Sequence, residues 1–140
     1  MRGANSRQQV ASLGTAGPFD TEKQWVDGML RAAQAAYPLE PPRFNFNEHV
    51  FHSIFRGHKP VFTHGDLVRT NIIVREDKSL VLIDRQYSGW YPSYWEYCLI
   101  QLTSGLEDDW PMWVPRFLNE YVAELAWMRK FFAWIVYMGE

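Results

Sequence analysis

Apolar residues recur at helical spacing early in the chain, then give way to short apolar runs. Trp25, Met29, Ala32, Ala33 and Ala36 fall on one helical face. Just before them, Thr21-Glu22-Lys23-Gln24 has the form of a capping box, so a helix is predicted to begin there. Pro38, Pro41 and Pro42 predict its end near Tyr37. A second helix is expected over residues 47–55, with Val50, Phe51, Ile54 and Phe55 on one face and Gly57 closing it. After Pro60 the pattern becomes β-like. Val61-Phe62-Thr63 forms one run; Asn71-Ile72-Ile73-Val74 and Leu80-Val81-Leu82-Ile83, joined by the polar stretch 75–79, read as a hairpin. The rest reads as helical, with breaks at Pro92, near Gly105, and around Pro111 and Pro115. Residues 1–18 are polar and glycine-rich and read as a flexible lead-in to a domain over 19–140.

Composition narrows the classes. With 140 residues, 47% of them hydrophobic and 16% aromatic, the chain is expected to form one domain with a packed core. A formal charge of -2, with no basic run, speaks against a nucleic-acid partner. The polar N-terminus has no apolar core of a secretory signal. The most apolar window, residues 121–138, is interrupted by Glu124, Arg129 and Lys130, so a packed helix is expected there and not a membrane anchor. Cys98 is the only cysteine, which excludes an internal disulfide and fits a reducing, cytoplasmic setting. It reads as a small buried apolar residue.

Chemistry concentrates in His64-Gly65-Asp66-Leu67-Val68-Arg69-Thr70-Asn71 and, downstream, Leu82-Ile83-Asp84. Phosphoryl transfer needs a carboxylate beside the attacking hydroxyl and hard oxygen ligands for Mg²⁺. Asp66 is expected on a loop after a short strand. Asn71 would start the next strand and Asp84 would end its partner. Antiparallel pairing brings the start of one strand beside the end of the other, so the hairpin would deliver both oxygens to one end.

His-x-Asp-Leu-x-x-x-Asn followed by an apolar strand ending in Asp is the arrangement of the protein-kinase catalytic loop and its metal-binding Asp. Here Gly65 stands in the middle of the first motif, and Arg85-Gln86 follows Asp84. Phe62-Thr63-His64-Gly65-Asp66-Leu67, Asn71-Ile72-Ile73-Val74, Ile83-Asp84 and Gly89-Trp90-Tyr91-Pro92-Ser93-Tyr94-Trp95-Glu96-Tyr97 together resemble the aminoglycoside phosphotransferase (choline kinase-like) family, closest to its fungal branch. The resemblance implies a mostly helical α+β fold: the protein-kinase-like C-terminal lobe, with a short β-hairpin carrying the site. It implies Asp66 as catalytic base, Asn71 and Asp84 as Mg²⁺ ligands, His64 as a supporting residue, ATP as phosphoryl donor and a small-molecule hydroxyl as acceptor. Two features depart from the family. Trp-Glu usually follows the metal-binding Asp, and Arg85 at that place could compete with Mg²⁺ for Asp84. Lys23, Lys59, Lys78 and Lys130 all fall outside apolar strands, so the expectation is a C-lobe without its N-terminal nucleotide-binding lobe. The alternative reading is an inactive fragment or pseudokinase-like binding module.

Other clusters have plainer readings. His49, His52 and His58 read as solvent-facing or satisfied helix histidines without ligand partners. Trp90, Tyr91, Tyr94, Trp95 and Tyr97 fit either a substrate cleft or core packing. Glu107-Asp108-Asp109 reads as a cap for the following helix or, by the resemblance, as a hold on a cationic substrate. A lobe with an open cleft would expose apolar surface and could self-associate.

Overall fold

The computed structural model describes residues 18–105 and 107–137. Most of the lead-in expected over 1–18 thus lies outside the described residues. The chain divides into two compact units, one formed by the segments ending at His58 and starting at Val122, the other by Lys59–Tyr121.

The first unit is helical: α1 (Glu22–Ala36), α2 (Pro41–Ile54) and, from the far end of the chain, a third helix, Val122–Tyr137. Thr21 caps α1 as expected, its Oγ1 accepting from Gln24 N at 3.2 Å. The Gln24 side chain returns to Asp20 N at 2.8 Å, one residue before the cap. The buried face is Trp25, Val26, Met29, Leu30 and Ala33; Ala36 of the expected stripe is exposed. The stripe is therefore rotated toward the larger side chains, which bury more apolar area.

Helix α2 starts six residues earlier than expected, at Pro41. Proline breaks a helix interior but fits its first turn, where the missing N–H had no partner in any case. Phe51 is the centre of this unit, with ring centroids 5.1 Å from Phe55, 5.6 Å from Phe131 and 6.4 Å from Trp127. His58 joins the ends of two helices: Nδ1 lies 2.9 Å from Glu22 Oε1 and Nε2 lies 2.8 Å from Glu124 Oε1. No helix among the described residues, the apolar one from Val122 included, is long and apolar enough to cross a membrane.

The second unit holds the strands. β1 (Pro60–Thr63) pairs antiparallel with β4 (Gly89–Pro92), matching Val61 to Tyr91 and Phe62 to Trp90. β2 (Ile72–Val74) pairs with β3 (Leu80–Leu82) as the expected hairpin, Ile72 opposite Leu82. Pairing of Pro60 with Pro92 is tolerated because each stands at a strand end. α3 (Trp95–Thr103) follows, then the short helix α4 (Trp110–Trp113), a 3₁₀ turn at Val114–Arg116, and the connection to the Val122–Tyr137 helix, α5. Pro111 and Pro115 open these short helices instead of only interrupting a longer one.

The class is α+β, with about half the chain helical and two small antiparallel sheets. Strand content exceeds the expectation because residues 89–92, read only as an aromatic motif, form a strand once β1 is beside them.

Candidate active site

The loop after β1 is held mostly by hydrogen bonds from side chains to the main chain. Thr63 and His64 are buried, and Gly65 takes a left-handed φ of 85°. A Cβ at Gly65 would lie 2.5 Å from the Tyr87 carbonyl oxygen, so only glycine fits. Asp66 N donates to His64 Nδ1 at 3.2 Å, and His64 Nε2 lies 2.8 Å from Ile83 O. With Nδ1 accepting, the ring proton belongs on Nε2, which donates to that carbonyl. His64 thus ties the Asp66 loop to the residue just before Asp84.

Asp66 and Asn71 are in direct contact. Asn71 Nδ2 donates to Asp66 O at 2.8 Å and to Asp66 Oδ2 at 3.1 Å. Because both acceptors belong to Asp66, the network orients the amide, and no donor among the described residues occupies Asn71 Oδ1. Asn71 itself is buried, in the 3₁₀ turn Arg69–Asn71 that leads into β2.

Asp84 is reached through the backbone. Ile83 N donates to Asn71 O at 3.0 Å, extending the hairpin ladder by one rung beyond Ile72 and Leu82. Asp84 therefore leaves the hairpin at the end where Asn71 enters it. It has a φ of 58°, unusual for a non-glycine residue, and its exposed carboxylate makes no hydrogen bond or ion pair among the described residues. Arg85 is also exposed and forms no ion pair with Asp84 there.

Sequence reasoning missed Glu96. At the start of α3 its carboxylate is buried and accepts from His64 N at 2.5 Å and Gly65 N at 3.2 Å. Burial pushes its carboxyl above the ordinary range and the Asp66 charge adds to this; the His64 and Gly65 N–H donors and the His64 ring pull the other way. The signal available was its place within Trp95-Glu96-Tyr97. A charged residue between two aromatics on a buried helix must have a polar partner.

A second clamp comes from the acidic run. Arg69 donates to Asp109 Oδ1 at 2.5 Å, and its guanidinium lies 5.3 Å from the centre of the Trp110 ring. Trp110 Nε1 donates to Leu67 O at 3.0 Å. Asp109 Oδ2 accepts from Trp113 Nε1 at 3.0 Å, while Asp108 Oδ1 accepts from Trp110 N at 2.9 Å. The N-cap of α4, Asp109, makes no side-chain cap bond; Asp108 before it takes the first N–H of the helix, and Asp109 binds the loop between Asp66 and Asn71. The aromatic motif also divides: Tyr94, Trp95 and Tyr97 are core, while Trp90 is 73% exposed beside Phe62.

One end of the β-hairpin thus carries the Asn71 amide in contact with Asp66 and, across the ladder, the exposed carboxylate of Asp84. The model of the phosphotransferase enzyme family matches residues 3–131, and the chain belongs to that family. No curated protein and no solved structure matches the chain.

Proposed function

We propose that the chain serves ATP-dependent transfer of a phosphoryl group to the hydroxyl of a small molecule. Asp66 accepts the hydroxyl proton on its carboxylate, Asn71 keeps that carboxylate oriented, and Glu96 and His64 hold the loop that presents it. Asn71 Oδ1 and the Asp84 carboxylate are the Mg²⁺ ligands, and both are hard oxygens without a competing partner, which suits that ion. Bound Mg²⁺ would supply neutralisation of nucleotide phosphate charge. The observation carrying this reading is the Asn71 amide, committed to Asp66 through its nitrogen with its oxygen left over.

We read residues 19–140 as the catalytic-loop lobe of a kinase-like fold of the fungal type. Lys23 and Lys130 lie on helices, Lys59 precedes β1 and Lys78 sits in the hairpin turn, so no strand lysine of this chain grips nucleotide phosphate. Mg-ATP affinity is therefore the deciding quantity. Calorimetry on the full chain should register Mg-ATP binding that Asp84→Asn abolishes. No heat from the wild-type chain overturns the enzymatic reading in favour of a non-catalytic binding module. Where turnover is measured, Asp66→Ala should lower it by about 10²–10⁴-fold with the fold intact.

The acceptor is defined here only by its hydroxyl, since one fold serves many acceptors. The single buried cysteine supports a cytoplasmic setting. Exposed Phe62, Val74, Leu80 and Trp90 support self-association, and a concentration-independent monomer in sedimentation would exclude it.

A further inference from the structure

We infer that the first unit carries a second metal site, for a zinc-class divalent transition ion, formed by Asp27 of α1 and Glu48 and His52 of α2. One ligand atom from each residue lies within 4.8 Å of the others. Glu48 and His52 are four apart on α2 and so project from one helical face, and α1 supplies Asp27 across the helix pair. His49, the neighbour on the same helix, falls outside the group.

An ion pair alone does not account for this arrangement. His52 Nε2 lies 2.7 Å from Asp27 Oδ1, and Lys23 Nζ lies 2.7 Å from Asp27 Oδ2, so both Asp27 oxygens already have partners. Glu48 nevertheless converges on the pair while its carboxylate makes no hydrogen bond or ion pair among the described residues. Two carboxylates held close repel one another, and the Lys23 ammonium serves Asp27 from an exposed position. A divalent ion neutralises both carboxylates and uses the third donor.

The donor set decides the class of ion. One imidazole with two carboxylates suits zinc-class ions, whereas Mg²⁺ favours oxygen donors and retained water. A fourth position would remain for water. The 2.7 Å separation of His52 Nε2 and Asp27 Oδ1 is that of a hydrogen bond. Two ligands on one tetrahedral Zn²⁺ stand about 3.3 Å apart, so the ion would take the place of the hydrogen bond, with the ring proton carried on Nδ1 and the pair opened by about 0.6 Å. Binding therefore cross-links α1 to α2. The site is independent of the Asp66 loop, which belongs to the other unit.

The test is titration of the metal-free full chain with ZnCl₂ by calorimetry, with Co²⁺ as a spectroscopic probe. The expected result is one equivalent bound, weakened at least about tenfold in both Glu48→Gln and His52→Ala, and unaffected by Asp84→Asn. Glu48 is exposed and unpaired, so Glu48→Gln keeps the fold and decides the matter even where His52→Ala does not fold. Zn²⁺ should also raise the thermal midpoint of the wild-type chain and not that of Glu48→Gln. Absence of one-equivalent binding overturns the proposal. So does unchanged affinity in either folded variant, or loss of the site in Asp84→Asn.

Discussion

The two units are held together by different physics. In the helical unit a cluster of aromatic rings around Phe51 dominates, and polar contacts such as Asp27–His52 and Glu22–His58–Glu124 lie outside that cluster. In the unit bearing the candidate site, five side chains fix one short loop by bonding its backbone: Glu96, His64, Asn71, Ser88 and Trp110. Its hairpin meanwhile leaves Ile73, Val74, Leu80 and Leu82 exposed. Apolar packing is non-directional and tolerates small shifts; hydrogen bonds specify where each peptide group sits. A loop that must aim a carboxylate is better served by the second device.

The comparison is testable by breaking each device in turn. Phe51→Ala should have the largest effect, lowering stability by about 3–5 kcal/mol in urea unfolding because a ring fully enclosed by other rings is deleted. A loss below about 1 kcal/mol would show that this unit does not depend on the cluster.

Glu96→Ala should follow. It strands the His64 and Gly65 N–H groups, each at roughly 1–3 kcal/mol, and should weaken Mg-ATP binding as well as stability. The buried carboxyl also carries a pH signature. Its pKa is raised on folding, so the folded state binds this proton more tightly than the unfolded chain does. Its contribution favours folding below the unfolded carboxylate value and declines as pH rises through the folded value. Glu96→Gln should remove that slope, seen by comparing unfolding midpoints of the two proteins across acidic pH; an unchanged slope assigns it to other groups.

Gly65→Ala comes next, at about 1–3 kcal/mol. It forces a side chain into a left-handed residue packed on the Tyr87 carbonyl. Hydrogen exchange should quicken at His64 and Gly65 and stay unchanged in α1; protection retained at the loop would count against this role for the glycine.

The smallest effect belongs to Arg69→Ala. Its ion pairs and ring contact are half-exposed, so about 1 kcal/mol or less is expected, shrinking further in high salt. A larger, salt-insensitive loss would mean that the clamp on the loop acts by packing.

Features governed by neighbours along the chain were legible in the sequence. These were the Thr21 cap, the hairpin with its polar turn, the apolar last helix, buried Cys98, and family membership through the His64–Asn71 and Ile83-Asp84 motifs. Where two local rules conflict, reading failed. Pro41 and Pro42 were counted as breakers, yet proline is equally a starter, and only the resulting helix shows which applies.

Partnerships between distant residues could not be read at all. Strand β4 exists because β1 lies beside it, and Glu96 matters because two N–H groups from residues 64 and 65 point at it. His52, read as lacking ligand partners, lies with Asp27 and Glu48. One of these was four residues away and open to notice; the other needed the second helix. Sequence by itself determined the local elements and the chemical inventory, because caps, turns and periodicity act within a few residues. Only tertiary structure decided which buried polar groups satisfy one another, because that depends on distances between segments that no local pattern encodes.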